Sequence, residues 1–216
     1  MFRKKRISNA LYKAAFLVAL SSCGTHSHIQ TGLAVKQDSV VTDKDGNHYP
    51  VKEMTKGTIW MTANLNWNIP DSYCYNNTSE NCTAYGRLYT WKVATQVCSM
   101  LEEGWRLPAI TDWQTLTRAY TESVSDSNAM RKEAYKALLI SGGSGFNAVL
   151  GGGRNPDSQY ARINAHGFYW TATEIDDSTA WSYNFAKGSQ SLYQQSGGEK
   201  SRAFSVRCVK DLARTK

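Results

Sequence analysis

The stretch that decides the fold reads Tyr85-Gly86-Arg87-Leu88-Tyr89-Thr90-Trp91, then Lys92-Val93-Ala94-Thr95-Gln96-Val97-Cys98-Ser99-Met100-Leu101, Glu102-Glu103-Gly104-Trp105-Arg106-Leu107-Pro108 and Ala109-Ile110-Thr111-Asp112-Trp113. Within it Val93, Ala94, Val97 and Leu101 recur at a 3–4 spacing, which predicts a first helix over residues 90–101 with one apolar face. Gly104-Trp105 then makes an aromatic turn and Pro108 re-aims the chain. Thr111 and Gln114 have capping-box spacing, so a second helix is expected to start at Asp112 and carry Trp113, Leu116 and Thr117.

Beyond this stretch, Met130, Ala134, Ala137 and Leu138 predict a third helix over residues 128–140. Gly142-Gly143-Ser144-Gly145 and Gly151-Gly152-Gly153 bracket Phe146-Asn147-Ala148-Val149-Leu150 and are read as tight turns and close backbone approaches. No Gly-Lys-Ser/Thr opens a helix there, so they are not a phosphate cradle. Strand-like runs follow over residues 167–173, 180–185, 191–193 and 203–209. In the second run Trp181, Tyr183 and Phe185 fall on one face at period two, with Ser182 and Asn184 on the other. Short strands after helices make an α+β fold, with two to three helices on a twisted antiparallel sheet and many loops.

On the N-terminal side, Asp45-Gly46 between β-prone runs signals a hairpin, and Lys56-Gly57 a second turn feeding a strand at Thr58-Ile59-Trp60-Met61. Asp43, Asp45 and Asn47 are the residues a calcium loop would use, but the other ligands of an EF-hand are missing. Residues 62–73 are irregular and carry Asn64, Asn66, Asn68 and an exposed-looking Trp67.

The formal charge of +7 on 216 residues comes mostly from one segment. Met1 to Cys23 holds Arg3, Lys4, Lys5, Arg6 and Lys13 and no acid, and without it 20 basic side chains face 18 acidic ones, a net +2. A nucleic-acid-binding reading therefore has little support. The apolar run Ala14-Ala15-Phe16-Leu17-Val18-Ala19-Leu20 rises only about 10 Å as a helix, against a hydrocarbon core of about 30 Å. Residues 1–23 read as a signal peptide, and Leu20-Ser21-Ser22-Cys23 resembles the bacterial lipobox, in which Cys23 is acylated and becomes the mature N-terminus. Residues 24–40 read as a flexible tether, 41–211 as the folded domain and 212–216 as a tail. The residues after Cys23 lack an acidic cluster, which favours a periplasm-facing anchor in the cell envelope, with the outer membrane as the expected site.

Four further cysteines, Cys74, Cys82, Cys98 and Cys208, allow three disulfide pairings in an exported chain. Cys74–Cys82 with Cys98–Cys208 is preferred, because the first pair brackets a polar loop and the second ties the first helix to the last strand. The His and Cys spacings do not suit a zinc site.

Several ordered segments resemble one family: Asp45-Gly46-Asn47-x-Tyr49, Trp60-Met61-x-x-Asn64-Leu65, Tyr85-Gly86-Arg87-Leu88-Tyr89-Thr90-Trp91 and Gly104-Trp105-Arg106-Leu107-Pro108, followed by Ser144-Gly145-Phe146-Asn147-Ala148, Tyr169-Trp170-Thr171-Ala172-Thr173 and Ser205-Val206-Arg207-Cys208-Val209-Lys210-Asp211. Together they look like the Fibrobacter succinogenes major paralogous domain (FISUMP), common in lipoproteins of Bacteroidetes and Fibrobacteres, over about residues 41–211. That family usually has Cys-Pro directly before x-Gly-Trp, whereas five residues separate Cys98 from Gly104 here. The resemblance implies a fold similar to C-type-lectin-like and sulfatase-modifying-factor folds, and it implies no particular activity.

The functional expectation is a non-catalytic binding or adhesion module on a lipid-anchored envelope protein, taking a glycan or a protein. Trp67, Tyr75, Trp181, Asn184 and Tyr193, with Tyr73 beside them, are the candidate ligand-binding residues, since aromatic faces offer contact area with a polar handle. Trp60, Trp91, Trp105, Trp113 and Trp170 are read as structural. A lectin-type calcium site would have to draw on Asn184, Asp176 and Asp177. The alternative is a structural subunit of an envelope complex or surface appendage. An enzyme related to sulfatase-modifying factors would need an activated thiol, and the four histidines are scattered, with no Ser-His-Asp order and no paired carboxylates.

Overall fold

The computed structural model describes residues 39–212, so the leader with Cys23, the tether up to residue 38 and residues 213–216 lie outside the described residues. β1 (Ser39–Thr42) and β2 (His48–Thr55) form the hairpin expected at Asp45-Gly46, with Gly46 at φ +85°. β3 (Thr58–Met61) follows a second turn where Gly57 takes φ +81°. Next come β4 (Ser72–Tyr73), α1 (Ser79–Tyr85), β5 (Leu88–Thr90), α2 (Trp91–Val97), β6 (Trp105–Arg106), α3 (Ile110–Arg118) and α4 (Ser127–Leu138). The rest is β7 (Gly151–Arg154), β8 (Tyr160–Ile163), β9 (His166–Glu174), β10 (Thr179–Ala186), β11 (Ser191–Glu199), β12 (Ala203–Ser205) and β13 (Val209–Asp211).

The strands make two sheets, a five-stranded one in the order β1-β2-β3-β13-β6 and an eight-stranded one in the order β11-β10-β9-β7-β12-β5-β4, with β8 on β7. Most pairings are antiparallel; β7 and β12 each meet β9 through one parallel bridge, so the larger sheet curls partly back on itself. The fold is mixed α+β, with helices packed on a curled, partly closed and mainly antiparallel sheet. Among the described residues no helix is long and apolar enough to cross a membrane.

Period-two alternation sends neighbouring side chains into two different cores. Met61, Trp170 and Phe204 join Ala94, Val97 and Trp105 in one. Trp60, Tyr169 and Phe185 join Trp113, Leu116 and Leu138 in the other, where Trp113 stacks on Tyr183 at 4.7 Å and meets Trp60 edge-on at 5.2 Å. Trp60, Trp105, Trp113 and Trp170 are buried as expected, and Trp91 is half-buried, its indole donating to the Thr171 carbonyl at 2.8 Å. Both preferred disulfides are present, Cys74–Cys82 with Cα atoms 5.0 Å apart and Cys98–Cys208 at 5.5 Å.

Several elements depart from the sequence reading. The polar loop expected over residues 75–81 is instead a 3₁₀ turn and the start of α1. The first expected helix is α2, whose regular part ends at Val97 and continues as a 3₁₀ turn over Cys98–Met100. α3 starts before Asp112, because the Asp112 carboxylate accepts from the Ala109 N–H at 2.7 Å while Thr173 on β9 receives the Ile110 N–H at 3.0 Å. Residues 146–150 carry a single β-bridge, Leu139 to Ala148, and the glycine run read as a turn is strand β7. A Cβ on Gly152 would lie 2.6 Å from the Ala161 carbonyl oxygen and 2.7 Å from the Ile163 nitrogen, so the close approach is real and the turn is not. The terminal run over residues 203–209 splits into β12 in one sheet and β13 in the other. In β10 a bulge between Ala180 and Ser182 sets Trp181 out of register, and Ser182 and Asn184 are buried along with Tyr183 and Phe185, because the sheet is covered on both faces.

Candidate functional site

Where β12 leaves one sheet and β13 enters the other, Val206-Arg207-Cys208 crosses between them. Met61 and Leu65 donate their N–H groups to the Cys208 and Val206 carbonyls, which fixes the crossing to the segment after β3. Arg207 is 1% exposed. Its Nε donates to Asn64 Oδ1 at 2.9 Å, Nη1 to the carbonyls of Met61 and Phe146, and Nη2 to the Asn147 carbonyl at 2.6 Å. The guanidinium carbon lies 4.3 Å from the centre of the Phe146 ring. It forms no ion pair among the described residues; burial pulls its pKa down, and Tyr169 opposes that in part. Four of its five N–H groups meet these acceptors, and the Tyr169 hydroxyl lies close enough to help hold the charge.

This guanidinium lies at the base of an open cleft of about 360 Å³. Asn64, fixed by donating Nδ2 to the Tyr85 carbonyl at 2.8 Å, forms part of the wall. Gly86 allows that contact: it sits at φ +74°, and a Cβ there would lie 2.6 Å from the Asn64 Cβ. On another side Tyr49 donates its hydroxyl to Asp43 Oδ2 at 2.5 Å and accepts the Asn66 N–H at 3.1 Å. Burial and the Asp43 hydrogen bond raise the Tyr49 pKa well above the ordinary phenol value. The Asn66 side-chain oxygen is buried and has no hydrogen-bond partner among the described residues, an uncommon state for an amide that lines a cleft. Ile140 stands 62% exposed on the rim, an apolar side chain held out to solvent.

The residues expected to bind a ligand are not gathered here. Trp67 is 4% exposed, which overturns its exposed reading, and Tyr75 is 7% exposed. Irregular backbone is buried at Trp67 because its carbonyl takes the Tyr89 hydroxyl at 2.9 Å. Tyr75 packs on Tyr160, ring centres 5.2 Å apart, beside Leu88 and Ala203. Asn184 is buried against His166, its Oδ1 3.0 Å from Nδ1. Trp181 is half-buried at the bulge, its carbonyl taking the Thr171 hydroxyl at 2.9 Å. Tyr193 is half-buried on β11 under Arg131, and Tyr73 under Arg154.

The calcium candidates are likewise spent or dispersed. Asp43 accepts from the Asp45 and Asn47 N–H groups, the Asn47 amide and Tyr49, so it is the hub of the hairpin. Asp176 caps the β9–β10 turn through Ser178 and Thr179, whose hydrogen bonds hold its carboxyl down to about 2. Five strand residues, roughly 16 Å, separate Thr179 from Asn184. Among the described residues no group of three or more His, Cys, Asp or Glu is placed to hold a metal.

Sequence reasoning missed Arg207, Asn66 and Ile140. The available signal was an arginine inside the apolar run Ala203-Phe204-Ser205-Val206-Arg207-Cys208-Val209. Asn47 and Tyr49, Asn64, Tyr85 and Gly86, Asn147, and Arg207 line the cleft and come from five of the ordered segments that carry the family resemblance. No curated protein and no solved structure matches the chain. Residues 46–210 match the Fibrobacter succinogenes major domain, and the chain belongs to that family.

Proposed function

We propose that the domain is a non-catalytic binding module, displayed from the cell envelope on a lipid anchor at Cys23, and that it takes a glycan in the cleft over Arg207. The observation that carries this is an orphaned acceptor, Asn66 Oδ1, in a cleft lined by amides and hydroxyls and shared with the buried Arg207 guanidinium. A sugar hydroxyl both donates and accepts, so it can answer the Asn66 oxygen and the amides and hydroxyls that line the cleft. Ile140 on the rim offers an apolar contact to a sugar's C–H face.

The non-catalytic reading rests on the chemistry that is already spent. All four described cysteines are in disulfides, and His166 lies against the Asn184 amide; His48 meets the Thr42 hydroxyl at 2.8 Å, but on an exposed hairpin, with no carboxylate hydrogen-bonded to its ring among the described residues. A lectin-like or sulfatase-modifying-factor-like arrangement is the finer fold reading we favour, because the chain brings two helices and a long loop-rich excursion onto one curled sheet. An anchor at Cys23 would hold the domain at the outer membrane, and the lack of an acidic cluster after Cys23 favours the periplasmic face.

The test is a glycan array probed with the full-length protein in detergent, followed by titration of the best binder against wild type and Asn66→Ala. Asn66→Ala should weaken binding about tenfold, the loss of one or two hydrogen bonds, with the unfolding midpoint unchanged. An array without binders, or an affinity indifferent to Asn66→Ala, would remove the cleft as the site.

A further inference from the structure

A second groove, remote in sequence from the Arg207 cleft, lies between α3, α4 and the β10–β11 hairpin and encloses about 280 Å³. Its charged lining is wholly cationic, beside the amides of Gln114 and Gln194 and the hydroxyls of Thr117, Thr121 and Tyr183. Arg118 stands in the last turn of α3 and Arg131 near the start of α4; both are exposed, neither forms an ion pair among the described residues, and no Asp or Glu lines the groove. Arg118 lies near enough to the Tyr183 phenol to work against the effect of burial on it. Arg131 is held in place by Asn128 Oδ1 at 3.3 Å and by the Tyr193 ring, 5.5 Å from its guanidinium carbon.

In the same groove, Gln194 Oε1 accepts from Gln114 Nε2 at 3.1 Å and from the Tyr183 hydroxyl at 3.2 Å. Those two donors fix the Gln194 amide and consume its acceptor, leaving its NH₂ group as two further donors. Met130 and Leu192 add an apolar strip to the same groove. Two unpaired guanidiniums and a fixed amide NH₂ select a ligand rich in acceptors and negatively charged, and a guanidinium fork matches a carboxylate with two parallel hydrogen bonds. The volume falls just below the roughly 300–1,000 Å³ of pockets that enclose drug-sized ligands, which suits one or two sugar rings.

We propose that this groove binds a carboxylate-bearing saccharide, a uronic acid unit, with Arg118 and Arg131 on the carboxylate and the Met130–Leu192 strip under the ring. The site is independent of the Arg207 cleft, and its ligand differs in carrying charge.

Isothermal titration of the full-length protein in detergent with trigalacturonate, its neutral galactose counterpart and inorganic phosphate tests it. Trigalacturonate should bind wild type and lose about tenfold or more in Arg118→Gln/Arg131→Gln, the worth of one or more charge-assisted hydrogen bonds. It should weaken as salt rises, and keep its affinity in Asn66→Ala, which separates this groove from the other cleft. Both arginines are exposed, so the double variant should fold, and an unchanged unfolding midpoint checks that. No binding of trigalacturonate, equal binding of the neutral trisaccharide, tighter binding of phosphate, or an affinity unmoved in the folded double variant would each overturn the proposal.

Discussion

Arg207 holds a fixed positive charge at the junction of the two sheets, and main-chain carbonyls of Met61, Phe146 and Asn147 with the Asn64 amide oxygen solvate it in place of water. The planar fork is what lets one side chain reach four acceptors on two separate segments. Lysine keeps the charge but presents a compact ammonium that cannot span the same acceptors, and methionine leaves all of them buried without a donor. Arg207→Lys and Arg207→Met are both expected to cost about 3 kcal/mol or more in urea unfolding. A midpoint unchanged in either would mean that the junction does not depend on the fork. At this scale the sequence misled in a consistent way. Trp67 and Tyr75 sit on irregular or polar segments, and local polarity suggested exposure of Trp67 and a binding role for both. Burial of such residues depends on distant partners, the Tyr89 hydroxyl for one and the Tyr160 ring for the other, which no local pattern encodes.

Among the elements, those with period and a nearby cap were legible: the hairpin at Gly46, β3, α4 and β9 lie where the pattern puts them. α1 was not, because Ser79-Glu80-Asn81-Cys82-Thr83-Ala84-Tyr85 buries little but Cys82 and has no apolar stripe to announce it. Its bounds are set instead by the Cys74–Cys82 bridge and by Arg87, which donates to Ser72 Oγ at 2.9 Å and lies against both sulfurs. β7 was missed because three glycines carry no β-propensity, and their place is fixed by how closely β8 and Phe204 approach. The two bridges separate in their energetic effect by the chain they enclose. Cys98–Cys208 closes a sequence separation of 110, and Cys74–Cys82 one of 8. In the chain-entropy account the first stabilises by about 4–5 kcal/mol and the second by about 2–3. Paired serine variants measured by denaturant unfolding should therefore rank with Cys98→Ser/Cys208→Ser the less stable. The opposite order would show that the short bridge, by holding α1 and Arg87, matters more than loop entropy.

Across the whole molecule, the larger sheet is buried along most of its strand β10, and each core holds phenols that are almost fully buried. Tyr49 and Tyr89 belong to the core around Trp170, Tyr183 to the core around Trp113. Burial is the main cause that raises all three above the ordinary phenol value of 10.0, with Asp43 adding to it at Tyr49. The direction of the linkage follows: in the unfolded chain these phenols ionise near pH 10, while in the folded one they stay protonated to higher pH. Their contribution to stability is complete below about pH 10 and is lost as pH rises toward the folded values. Tyr193, by contrast, is lowered by the hydroxyls of Ser189 and Ser191 and by Arg131 and Lys132, and should ionise first without disturbing the fold. An alkaline titration followed by phenolate absorbance and near-ultraviolet circular dichroism should thus show two stages. The first is a reversible phenolate signal with the dichroism intact. The second, above pH 10, is a cooperative rise in phenolate as the aromatic dichroism collapses. Because the buried phenols are shared between the two cores, the collapse should be a single transition, both cores failing together. Full phenolate absorbance with intact dichroism would mean that these tyrosines are reached by solvent in the native state, and two separate transitions would mean that the sheet does not couple its two faces.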